Sequence, residues 1–81
     1  METRVALIGI VGENPDSVEQ LNALLHQYRQ FVIGRMGVPY KEKNVSIISV
    51  AVDAPGDIIS ALSGKLGRLP GISTKTIYSK V

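Results

Sequence analysis

The 81-residue chain predicts an α+β fold of the ferredoxin-like βαββαβ kind: a four-stranded antiparallel sheet with two helices on one face. Three observations carry that prediction. Apolar residues alternate between strand-length runs and helical spacing, in the order strand, helix, strand, strand, helix, strand. Glycine, proline or short polar segments punctuate the switches. Right-handed crossovers applied to this order place the first and third strands at the centre, and these are the two most apolar. At this length the chain is one domain, 1–81, with one modest core.

Arg4–Val11 is almost continuously aliphatic and of strand length, as a strand buried on both faces would be. Gly12-Glu13-Asn14-Pro15 follows, with Asn14 suited to cap a helix and Pro15 to its first position. Val18, Leu21, Leu24, Leu25 and Tyr28 then fill an arc of about 120° on a helical wheel. Phe31–Val38 reads as the second strand, closed by Pro39; Gly34 and Gly37 within it predict an edge strand with a bulge or a close backbone contact. Tyr40–Asn44 reads as a loop and Val45–Val52 as the third strand. Asp53 is expected to cap the second helix, with Pro55 in its first turn. Ile58, Ile59, Leu62 and Leu66 supply that helix's buried stripe. Gly67 is expected to end it in the left-handed conformation, before the Pro70-Gly71 turn into the last strand, Ile72–Ser79.

Two helices cover one face of such a sheet, yet the central strands are apolar on both. In the first strand Val5, Leu7 and Val11 point one way and Ala6, Ile8 and Ile10 the other. In the third, Val45 and Ile47 oppose Ile48, Val50 and Val52. The uncovered aliphatic surface predicts self-association, most simply as a symmetric homodimer, with a tetramer as the next form.

Composition narrows the function. Net charge is +2, and residues 1–40 carry −1 against +3 for residues 41–81. That is too little to mark a nucleic-acid binder. There is no cysteine, which excludes disulfides, thiolate chemistry and thiolate metal sites built by this chain. The apolar run Val5–Val11 is too short to span a membrane, so a cytoplasmic protein is the expectation. His26 is the single histidine and falls on the polar side of the first helix, with no second imidazole to join it. Glu13 and Asp16 sit where they favour a helix dipole, as does Asp57. No nucleophile–base pair or metal-ligand set is visible, so neither a catalytic residue, a metal nor a cofactor is expected.

Three small features remain as interaction candidates. Backbone N–H groups at the Gly12-Glu13-Asn14 turn could receive an anion such as a carboxylate. Arg35, between Gly34 and Gly37, could project from an edge strand toward an anion or a partner. On the second helix Ser60, Ser63, Gly64 and Gly67 lie opposite the buried stripe, where lysine and glutamate are usual. Small residues four apart would let another backbone approach closely, so this face is a candidate docking surface.

Several segments together resemble the family of regulators of the iron-only hydrogenase system. They are Val32-Ile33-Gly34-Arg35-Met36-Gly37-Val38-Pro39-Tyr40, Lys43–Ser49, Asp53-Ala54-Pro55 and Leu62–Gly71. The resemblance implies a stand-alone ACT-type domain, similar in fold to the C-terminal domain of nickel-responsive repressors. It implies a non-enzymatic, homo-oligomeric regulator that acts with a separate regulatory or hydrogenase-maturation protein. The alternative it implies is a sensor holding an amino-acid-like or anionic ligand at a subunit interface near Gly12, Glu13 and Asn14. Two departures from the nickel repressors matter. Val45–Val52 lacks their metal-binding histidines and cysteine, and the first strand begins too early for a preceding DNA-reading arm. Direct, specific DNA binding is therefore not expected. Catalysis is also not expected: an acylphosphatase-type enzyme on this topology would place a glycine-rich phosphate loop with an arginine after the first strand, and Gly12–Pro15 is not one.

Overall fold

The computed structural model describes residues 2–80. Their order is β1 (Arg4–Gly12), α1 (Pro15–Gln27), a 3-10 turn (Arg29–Phe31), β2 (Val32–Tyr40), β3 (Val45–Ala54), α2 (Gly56–Gly67) and β4 (Ile72–Tyr78). The strands form one antiparallel sheet in the order β2-β3-β1-β4. This is the ferredoxin-like arrangement, with the two apolar strands β1 and β3 at the centre.

Strand alternation sorts β1 and β3 cleanly. Ala6, Ile8 and Ile10 join Ile48, Val50, Val52 and Ala54 beneath Leu21 and Leu25 of α1 and Ile59, Leu62 and Leu66 of α2. Ile72 completes this core, which is entirely aliphatic; Tyr28, Phe31 and Tyr78 pack only at its margin. Full burial of each valine, leucine or isoleucine among them contributes roughly 1.5–3 kcal/mol. The opposite set, Val5, Leu7, Val11 and Ile47, stays exposed.

The start of α1 follows from its sequence. Asn14 is extended, and its Oδ1 accepts from the Asp16 N–H at 3.0 Å, with Pro15 opening the helix. The start of α2 differs from expectation. β3 runs on to Ala54, because Asp53 pairs with Val5 and Ala54 with Arg4 across the sheet. Asp53 is therefore a strand residue. Pro55 occupies the cap position and offers no side-chain bond, and Asp57 sits in the first turn.

The glycine assignment at the other end of α2 also changes. Gly67 is the last helical residue, Arg68 closes the helix in right-handed geometry, and the left-handed residue is Gly71, at φ 72°. A Cβ on Gly71 would lie 3.1 Å from the Asn14 Cβ, so tertiary contact as well as backbone sign favours glycine there. The buried Ser17 Oγ donates to the Pro70 carbonyl at 2.5 Å, and the Glu13 N–H donates to the Gly71 carbonyl at 2.8 Å. The turn before β4 is thus bonded to the start of α1.

β2 is longer than its sequence predicts, and its register shifts between Val32 and Gly34. Ile33 is the inserted residue. Pro39 and Tyr40 belong to the strand, opposite Ser46 and Val45; an edge strand tolerates proline where no ladder bond is required. Phe31 falls in the 3-10 turn instead. The β2–β3 connection is Lys41–Asn44, with Asn44 left-handed at φ 55°, a conformation asparagine accepts better than most residues.

Candidate functional site

The uncovered face of the sheet is the largest surface without an explanation inside the chain. Cross-strand pairing arranges it in rows. Val38, Ile47 and Val11 stand side by side on β2, β3 and β1. Ala51, Leu7 and Ile77 form a second apolar row on β3, β1 and β4. Between them runs a row of Met36, Ser49, Gly9 and Lys75. With no side chain at Gly9 and a short one at Ser49, this middle row forms a depression of about 370 Å³, flanked by Val11, Ile47, Ser73 and Lys75.

Gly9 is unusual because nothing in the chain requires it. A Cβ there would meet only the Lys75 carbonyl oxygen, at an ordinary 3.8 Å, and its φ is not positive. Glycine inside a central strand weakens it and often marks close approach by another group. Together, the rows and the depression make a shaped apolar surface. Sequence alternation identified the apolar sets, but not the depression between them.

Gly12 and Glu13 of the turn, with Pro15 and Val18 of α1, form one wall of a cleft of about 220 Å³, whose other wall is the β2–β3 hairpin with Pro39, Tyr40, Lys41 and Asn44; Asn14 does not line it. Several amides at this turn and at the start of α1 are already engaged. Asp16 donates to the Asn14 side chain, Ser17 and Val18 donate to the Asn14 carbonyl, and Glu13 donates to Gly71. Pro15 has no N–H to offer. The cleft exists, and these four donors are spent within the chain.

Arg35 does not join that turn. It lies on the helix side of β2, opposite Val50, and its Nη2 donates to Asn22 Oδ1 of α1 at 2.8 Å. It lines a separate cleft with His26 and Arg29.

The small-residue face of α2 divides. Ser60 is exposed and a Cβ on Gly64 would meet only the end of the Arg68 side chain. Ser63 and Gly67 instead face β4. The Ser63 hydroxyl shares a hydrogen bond with Thr76 Oγ1 at 3.0 Å, and a Cβ on Gly67 would lie 3.3 Å from Thr74 Oγ1. The four residues do not form one outward stripe, because α2 rests over β4 on that side. Among the described residues no group of three or more histidine, cysteine, aspartate or glutamate side chains converges as a metal site would. No helix is long and apolar enough to cross a membrane.

The chain's relatives agree with this architecture. An uncharacterised protein, TM1266 of Thermotoga maritima, is 36% identical in sequence, with TM-score 0.93 over 98% of this chain and 100% of its own. The C-terminal domain of the MgtC protein of Mycobacterium tuberculosis superposes with TM-score 0.75 over 95% of this chain and 88% of its own, at 12% identity. A formyltetrahydrofolate deformylase of Pseudomonas putida matches with TM-score 0.61 and 15% identity, over 94% of this chain and 28% of its own. The last two likenesses concern the fold alone. No curated protein matches the sequence. Residues 4–76 match the TM1266-like family, described as "Iron-only hydrogenase system regulator, putative". The chain belongs to the TM1266-like family.

Proposed function

We propose that this chain is a non-catalytic, cytoplasmic regulatory or interaction subunit of the iron-only hydrogenase system, working as a homo-oligomer built on the open face of its sheet. The observation that carries this reading is the pair of aliphatic rows, Val38–Ile47–Val11 and Ala51–Leu7–Ile77, left without cover. Apolar surface of this kind is removed from water most simply by a second copy. The depression at Gly9 supports a specific docking mode, in which a side chain of the second copy enters between the rows. The family description supports the regulatory role, exercised through a separate regulatory or maturation protein rather than through DNA.

Sedimentation equilibrium tests the assembly, with 8.7 kDa as the mass of one chain. The expected result is a concentration-dependent mass of a dimer or tetramer. Gly9→Val fills the depression while suiting a strand, so it should keep the circular dichroism spectrum and weaken association about tenfold or more, as overpacking does. A concentration-independent monomer, or full association in Gly9→Val, overturns the proposal.

A second reading has a specific observation behind it, the cleft between Gly12-Glu13 and the β2–β3 hairpin. There the chain would be a sensor of an amino-acid-like ligand, completed by a neighbouring subunit. Since the Glu13 amide is engaged with Gly71, side chains such as Glu13 and Lys41 would carry much of the recognition. Native mass spectrometry of freshly purified protein distinguishes the two readings by the presence or absence of a co-purifying small molecule.

A further inference from the structure

We propose that the cleft between α1 and β2 binds a phosphate group carried on a small molecule, through Arg29, Arg35, Asn22 and His26. The cleft has a volume of about 350 Å³ and is lined by these four residues together with Leu25 and Val32, within the range of small-molecule sites. Asn22, His26 and Arg29 recur at intervals of four and three, so they lie along one flank of α1 and its continuation. Arg35 arrives from the neighbouring edge strand.

The register shift at Ile33 is what brings it there. Val32 pairs with Val52 on the helix side of the sheet, and simple alternation would put residues 34 and 36 on that side as well. The inserted residue reverses the alternation. Arg35 now pairs with Val50 on the helix side, while Met36 and Val38 pair with Ser49 and Ile47 on the open side. A bulge can re-aim a side chain in this way. Here it exchanges an apolar methionine for a guanidinium beside α1.

The charges in the cleft are not balanced. Arg35 donates to Asn22 Oδ1, and Arg29 Nη1 donates to the His26 carbonyl at 2.9 Å. Neither arginine has a carboxylate partner among the described residues, and no acidic side chain lines the cleft. Each guanidinium carries five N–H donors, so most remain to be used. The Asn22 amide nitrogen is also left to donate. Two guanidinium forks from separate elements, joined by an amide and an imidazole, offer more donors in more directions than one carboxylate accepts. A phosphate, with several oxygens around a tetrahedral centre, matches that set. The buried Leu25 and half-buried Val32 form a floor for an apolar portion of the ligand.

The test uses the full chain and two probes, inorganic phosphate and phenyl phosphate, titrated while amide and arginine side-chain NMR signals are followed. Saturable shifts are expected at Asn22, His26, Arg29 and Arg35, with phenyl phosphate bound more tightly than inorganic phosphate. Equal affinity for the two probes would remove the apolar floor from the proposal and overturn its carried-phosphate form. Arg35→Gln and Arg29→Gln should each weaken binding about tenfold, as loss of a charge-assisted contact does. Lys75→Gln, on the open face, should leave it unchanged, and thermal melts check that each variant is folded. Shifts that do not saturate, that fall at Lys41 and Lys75 instead, or that survive both arginine substitutions overturn the proposal.

Discussion

The two faces of one sheet carry nearly the same residues and face opposite fates. On β1, Ile8 is 0% exposed and its neighbour Leu7 is 42% exposed, though they are isomeric in side-chain composition. On β3, Val50 is covered and Ile47 is not. What differs is the cover: the helices bring Leu21, Leu25, Ile59, Leu62 and Leu66 to one face and nothing to the other. Apolarity along a strand therefore states that a face avoids water, without stating what will cover it. One face accounts for folding, and the other remains available for association.

Substitutions on opposite sides of the sheet should separate these roles. The largest effect on folding is expected from Leu62→Ala, which empties space above the central strands. Leu62 is 1% exposed, and the expected loss is about 2–5 kcal/mol, read from urea or thermal unfolding. A loss below 1 kcal/mol would mean the helix face is not the dominant core. Leu7→Glu, one residue from Ile8 on the other face, should keep the monomer fold within about 1 kcal/mol. Its expected effect is on assembly, with a shift toward monomer in size-exclusion and sedimentation profiles. Unfolding of Leu7→Glu under conditions where a wild-type monomer is folded would collapse the distinction between the faces.

The smallest effect should come from the outer side of the helical cover. Gly64 lies inside α2, and a Cβ there meets only the Arg68 Nη2 atom, at 3.5 Å. Gly64→Ala should stabilise the fold by about 0.5–1 kcal/mol through helix propensity alone. A destabilisation with lost assembly would instead return α2 to consideration as a docking surface.

Much of the fold was legible because local and long-range requirements agree. The alternation of β1, the Asn14 cap and the Leu21–Leu25 stripe each depend on residues close in sequence. The boundary at Asp53 did not follow that logic. An aspartate two residues before a proline suits a helix cap, but pairing with Val5 keeps Asp53 in β3. Local grounds favour Gly67 as the left-handed glycine, whereas that conformation belongs to Gly71, which packs against Asn14. Ser63 was expected to face outward and instead bonds Thr76 across to β4. For the binding surfaces, the apolar sets were visible as a period of two, but the depression at Gly9 needs the register of all four strands. The cleft of Arg29 and Arg35 needs the single inserted residue, and the nearby glycines signalled only that an irregularity belonged somewhere in β2.

That irregularity also bears on how strand-by-strand growth at the sheet's edge is discouraged. β2 is a free edge nine residues long, and an unbroken edge of that length is a template for adding strands side by side. The ladder is offset at Ile33 near one end, and Pro39 lacks an N–H near the other. Both devices discourage a foreign strand from pairing along the whole edge. Edge-to-edge addition has no natural stopping point, whereas packing of one face on its twin closes after a fixed number of copies. A sheet blunted at its margin can thus keep an aliphatic face without inviting fibres.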